Sequence, residues 1–512
     1  MSRVKKTIKN AKVTTFFFVI TTAIGFFSRS IFLSRLGDEF IGLAATLQSF
    51  LNFLNLAELG IGSAMAFALY KSLFKKDFER LNELLALIGY LYKKIGTIVL
   101  LGGILLSLFF PMIFKDTSIS LVVIYYMFYV YLFSTLLNYY YNYYLIVLQT
   151  DQKGYIPTAY LQISHITKIS MQIAVVFLTN SFILFITIEL ITLTTYNILI
   201  HKKIKKEYPW IKFFNRGSKS LLAENKDILI KIKQMFVHRI SGFILKSTDN
   251  IVIFSFVNLQ SVTFINNYYI ITSSASALLS NFVTGTGAAV GSLVAENDRI
   301  KIQKVFWELM SLQHYIGGLL FLSLYYGINP VIALWLGEKY IMAPHIVILI
   351  LINVYIEKMR APIINFINAY GIFHDVWAPL TEGVLNLLVS IVLAYYFGIS
   401  GVLIGTLISV SLITLVWKPF FLYKNGFNKP VFLYWIGFFK LLLSFIISLI
   451  VCKFLISSFV TINNESWVLL LVSLIQVGFI IVIVYSSIMY LVNPGYRELS
   501  TRILKLIKSL FK

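Results

Sequence analysis

Among the ionisable side chains inside runs that are otherwise apolar and long enough to cross a bilayer, seven stand out as candidates for a site: Arg29, Glu58, Lys168, Arg239, Lys246, Asp249 and Arg360. A charge at the bilayer centre costs at least ~2.5–3.5 kcal/mol on insertion scales, so such a group faces a partner or a wet cavity and marks a functional site by default. The chemistry open to these groups is binding. Guanidinium and ammonium groups hold phosphate oxygens through charge-assisted hydrogen bonds. Carboxylates in the same setting suit a coupling cation. Spacing groups these residues into faces. Gln48, Asn52 and Asn55 are four and three residues apart and line one side of a helix, and Glu58 extends that side by a turn. Arg239, Lys246 and Asn250 stand seven and four apart on another. Asp249 is close enough in sequence to neutralise Lys246, so a structural ion pair competes with a cavity role there. Glu189, on the helix after Lys168, is the natural partner for that lysine. Glu357, Lys358 and Arg360 precede Pro362, which frees a backbone carbonyl and is expected to kink its helix. Glu382 reads as interfacial solvation, and snorkelling accounts for Lys440.

The elements that carry these residues are membrane helices. Of 512 residues 58% are apolar, and mean hydropathy is +0.81. Runs of about 20 apolar residues recur along the chain, the length that spans a bilayer. Fourteen spans fit, near 13–35, 40–70, 89–114, 119–148, 156–179, 182–200, 229–257, 261–293, 304–327, 342–372, 376–397, 400–423, 431–458 and 466–492. They divide into an N-lobe (1–200), a hydrophilic linker (201–228), a C-lobe (229–424), two further helices (425–492) and a basic tail (493–512). A pattern-level repeat relates 172–204 to 390–422, so the two six-helix halves are parallel copies, with Arg29 and Arg239 on the first helix of each.

The net charge of +22 raises the question of nucleic acid, and position answers it. Of the 44 lysines and arginines, 33 fall in or beside one set of alternate loops, 4 in or beside the other and 7 deep within the spans. That asymmetry is the cytoplasmic signature of a membrane protein and places both termini in the cytoplasm. Aromatic residues among the linker lysines (Trp210, Phe213, Phe214) suit a segment lying at anionic headgroups, as do 72–94 and 496–512. Gly287 and Gly291 have the spacing of a close helix contact. No cleavable signal peptide is visible. The single cysteine, Cys452, excludes an internal disulfide and a Cys-based metal site. HExxH, Walker A and GxSxG motifs are missing, and the outer loops are too short to hold a sugar acceptor, which argues against a membrane glycosyltransferase or polymerase.

The turn SRLGDEFIGL, the helix NLAELGIGSAMAFALY and the segment KSTDNIVI, within a fourteen-helix plan, resemble Wzx-type polysaccharide flippases of the multidrug/oligosaccharidyl-lipid/polysaccharide exporter superfamily. The resemblance implies an all-α integral membrane protein with two six-helix lobes around a central cavity and two C-terminal helices. It implies translocation of undecaprenyl-diphosphate-linked oligosaccharide to the outer leaflet of a bacterial inner membrane, for O-antigen, capsule or another surface polymer. The partners implied are that cargo, membrane lipids and other polysaccharide-assembly membrane proteins. No cofactor is implied, and coupling to H+ or Na+ is left open. Cationic cavity residues would hold the diphosphate; matched by helix and setting these are Arg29, Arg239, Lys246, Lys168 and Arg360. The alternative within the superfamily is a cation-coupled multidrug exporter, with Glu58 and Asp249 as coupling carboxylates.

Overall fold

The computed structural model describes residues 3–58, 61–212, 219–225, 228–230, 232, 236, 248–280, 286–372 and 374–510. All regular structure among them is helical, with no strand. This follows from the solvent: in lipid a backbone polar group must find its partner within its own segment, and a helix does that. Ten helices are long and apolar enough to span a membrane. The other four expected spans are the second helix, the stretch 229–257 (mostly outside the described residues), a Ser- and Asn-rich helix, and the helix holding Glu357, Lys358 and Arg360. Of these, Asp38–Leu54 is only 17 residues long, and the helix Pro344–Tyr370 carries three charges at its centre. The chain divides into two compact units, Met1–Thr263 and Phe264–Lys512.

The first unit opens with α1 (Arg3–Leu36), turned at Gly37, whose φ of +83° a side chain would disfavour. In α2 (Asp38–Leu54), Asp38 and Glu39 occupy the first turn, where carboxylates complement the helix dipole. Glu39 accepts hydrogen bonds from Thr117 Oγ1 (2.6 Å), Ser118 N (2.9 Å) and Ser118 Oγ. Burial pushes this carboxyl up; the hydrogen bonds outweigh it and leave the pKa below the ordinary 4.5. A continuous helix over 40–70 is not what forms. α2 ends at Leu54, Asn55–Glu58 is a 3-10 turn, and α3 begins at Ile61. Asn55 and the nearby Gly60 and Gly62 are weak helix formers, so the break falls where propensity is lowest. Then follow α4 (Phe78–Ser107), capped by the Asp77 carboxylate on Arg80 N, α5 (Phe110–Ile113) and α6 (Leu121–Tyr140). The expected span 119–148 is likewise interrupted, by a 3-10 turn at Asn142–Tyr144 before α7 (Leu145–Thr150). α8 (Tyr155–Thr179) packs on α1 and on α9 (Phe182–Glu207). α10 (Lys219–Glu224) and α11 (Asp249–Phe256) complete the unit.

The unit boundary falls in α12 (Leu259–Ser280). The second unit continues with α13 (Thr286–Ala295), α14 (Arg299–Leu336), α15 (Pro344–Tyr370), α16 (Trp377–Phe397) and α17 (Ile399–Val410). α14 is much longer than the expected 304–327, starting at an Asp298 cap and carrying Pro330 within it. Pro362 lies inside α15 without interrupting it. π-helical turns at Ser411–Trp417 and Tyr423–Phe427 flank α18 (Lys418–Leu422). α19 (Phe432–Phe459), α20 (Trp467–Val492) and α21 (Pro494–Leu510) close the chain. The core around Phe306 is aromatic, with Phe366, Tyr423 and Phe427 in contact with its ring. Close helix approach is not found at Gly291, where an added Cβ meets nothing within 4 Å among the described residues; the surroundings of Gly287 lie outside them. Close approach occurs in the α16–α17 hairpin, where a Cβ on Gly401 would sit 2.1 Å from Leu393 O and one on Gly405 2.3 Å from Ser390 Oγ.

Candidate functional site

In the first unit the polar side chains of α2 and its 3-10 turn are split between several partners. Gln48 is exposed and reaches Asn52 Oδ1 at 3.4 Å. Beyond Leu54 the helical register is lost, so Asn55 and Glu58 do not continue one α-helical face as the spacing predicted. Tyrosines gather there instead. Tyr139 donates to Asn55 Oδ1 at 2.8 Å and Tyr92 to Glu58 Oε1 at 3.2 Å. A half-buried carboxylate, an amide and two phenols thus converge on a broken helix, and no ion pair reaches Glu58 among the described residues. Arg29 donates to the Thr263 carbonyl at 3.4 Å. Asn250 donates to Ser49 Oγ on α2 at 3.1 Å. Beside it Asp249 is 9% exposed, and its Oδ1 has no hydrogen-bond partner among the described residues. Arg239 and Lys246, and with them the expected Lys246–Asp249 pair, lie outside the described residues.

Lys168 meets the partner expected for it: its ammonium donates to both oxygens of Glu189 at 3.0 Å. Next to this pair, Ser164, Thr167, Thr192 and Thr195 line a groove of about 280 Å³ between α8 and α9, with no charged residue in its wall.

In the second unit Arg360 makes two parallel bonds of 2.9 Å to Glu382. Glu382 is fully buried, so it is a structural anion and not an interfacial carboxylate as its position near a helix end suggested. A planar guanidinium fork matches a carboxylate in this way, and neither group of such a pair is free to leave cheaply. Lys168 and Arg360 must therefore each give up an ion pair before binding any other anion. Lys358, two residues before it on α15, is different. It donates to Ser280 Oγ at 2.7 Å and to Ser276 O at 3.4 Å, both on α12, and among the described residues no carboxylate lies within ion-pair distance.

Three further polar groups escape sequence reasoning because their partners are distant in the chain. Lys418, which reads as a loop lysine, is buried between the two π turns and bonds Asp375 at 2.6 Å. Arg502 of the tail pairs with buried Glu308 at 2.6 Å, and Lys304 with Glu498 at 3.3 Å, so α21 docks on α14. Buried His314 bonds Tyr355 Oη at 3.0 Å. Among the described residues no group of His, Cys, Asp and Glu could hold a metal ion.

The chain matches no protein-family model and no curated protein. Solved structures share its fold, among them the following two. "Lipid II flippase MurJ, inward closed conformation" aligns with a TM-score of 0.66 at 18% identity, covering 94% of this chain and 99% of that one. "Inward-facing conformation of a multidrug resistance MATE family transporter of the MOP superfamily" aligns with a TM-score of 0.54 at 14% identity, covering 79% and 96%. This protein is an all-helical, multi-span membrane protein with the fold of those two structures.

Proposed function

We propose that the protein is a flippase for undecaprenyl-diphosphate-linked oligosaccharide, moving it by alternating access from the cytoplasmic to the outer leaflet of a bacterial inner membrane for surface polysaccharide synthesis. The observation that carries this reading is the likeness, along nearly the whole of both chains, to a structure titled as a lipid II flippase. The excess of basic over acidic groups inside the spans supports it, because a diphosphate leaving water needs cationic partners. Deleting the gene should leave lipid-linked repeat units on the cytoplasmic leaflet and abolish surface polymer. Normal surface polymer in a deletion strain without a second flippase would sink the reading.

The second reading is a cation-coupled exporter. The Glu58–Tyr92–Asn55–Tyr139 cluster favours it, since a carboxylate with oxygen ligands at a helix break suits a proton or Na+. Under this reading overexpression lowers drug susceptibility. Glu58→Gln removes the effect at unchanged protein level.

A further inference from the structure

Lys358 lies at the midpoint of α15, a 27-residue helix about 40 Å long at 1.5 Å per residue. Where α15 serves as the expected tenth span, a hydrocarbon core of about 30 Å puts that position near the bilayer centre, too deep for a lysine stem to snorkel out through lipid. Its ammonium has three protons. Two go to neutral oxygens of α12, the Ser280 hydroxyl and the Ser276 carbonyl, and Ser280 in turn donates to Ser276 O at 2.8 Å. The third has no acceptor among the described residues. Glu357 precedes it but is exposed, and adjacent helical residues do not face each other. The residues outside the described set contain one acid, Asp227, in the linker.

Three other cations of the expected spans are placed differently. Lys168 and Arg360 are neutralised by carboxylates, and Lys440 is exposed on α19. A methionine would fill the Lys358 position without the cost of a buried charge. An ammonium kept at mid-membrane on two weak, neutral acceptors is poised to exchange them for a stronger, anionic one. Its four-carbon stem lets it swing without moving the helix, which a paired guanidinium cannot do.

We infer that Lys358 binds the diphosphate of a polyprenyl-linked cargo, with Ser276 and Ser280 holding its ammonium when the cargo is absent. This rests on the flippase reading above. The test is binding of undecaprenyl diphosphate to the purified full-length protein in nanodiscs, with uncharged undecaprenol as the control lipid. Lys358→Met should weaken diphosphate binding by about 10-fold or more, the size of a lost charge-assisted hydrogen bond, and leave undecaprenol binding unchanged. Lys358→Arg should return it to within about threefold. Should Lys358→Met not yield monodisperse protein, Lys358→Gln, which can still bond both serines without the charge, carries the test with the same expected loss. Diphosphate binding equal to that of the unsubstituted protein in the Met or Gln variant overturns the inference and leaves the flippase reading standing. Failure of the unsubstituted protein to bind undecaprenyl diphosphate overturns both.

Discussion

At the scale of residues, two of the cations picked out by sequence are spoken for. Arg360 and Glu382 form a bidentate pair whose acid has no solvent exposure. Removing one partner of a buried pair leaves the other charge uncompensated, at a cost of about 3–5 kcal/mol, whereas replacing both by apolar groups is often neutral. Glu382→Ala should therefore lower the thermal stability of detergent-solubilised protein sharply. The double change Arg360→Met with Glu382→Met should restore most of it. If the double variant is stable and still transports, Arg360 serves the fold. If it is stable and inactive, Arg360 is released to the cargo during the cycle. Measuring melting temperature and transport on the same preparations separates these outcomes.

At the scale of elements, close backbone contact is confined to particular helix pairs. A Cβ on Gly42 of α2 would lie 1.9 Å from Leu259 O at the start of α12, and the obstruction is backbone, which cannot rotate away. Gly42→Ala and Gly405→Ala should each destabilise the folded protein by about 1–3 kcal/mol, the usual cost of overpacking. Gly291 is the internal control. With open space around it on a helix, Gly291→Ala should gain about 0.5–1 kcal/mol from reduced backbone entropy alone. Thermal unfolding of the three variants in one detergent decides the matter. A Gly291→Ala loss as large as that of Gly42→Ala would show that the Gly291 position is tightly packed after all.

At the scale of the whole molecule, the distribution of basic residues predicts which side each loop faces. The single native cysteine, Cys452, is buried, so an impermeant maleimide has little background. Asn464, between α19 and α20, and Lys202, near the end of α9, are both exposed and belong to loops of opposite predicted side. Asn464→Cys should label in intact cells. Lys202→Cys should label only after permeabilisation. The reverse pattern would invert the topology and with it the direction of transport.

Hydrophobic run length and loop charge are local, additive properties, and they determined the helical class and the membrane setting before any contact was known. Lys168 with Glu189 was legible for a related reason: the two sit on consecutive helices joined by a short turn, so chain order implies proximity. The break at Asn55–Glu58 was hidden because each flanking half is apolar enough to read as one span, and composition does not reveal where a helix stops bonding. Lys418 with Asp375 and Arg502 with Glu308 were hidden because the partners are distant in the chain and brought close only by packing, and Glu382 with Arg360, although on consecutive helices, because the position of Glu382 near a helix end reads as solvated. Tertiary structure also decided which cations are compensated. Lys358 and Arg360 are two residues apart on one helix, yet α15 points one at a buried carboxylate and the other at two serines. Adjacent sequence positions on a helix diverge by about 100° per residue, so their chemistry is set by whichever neighbour each face meets.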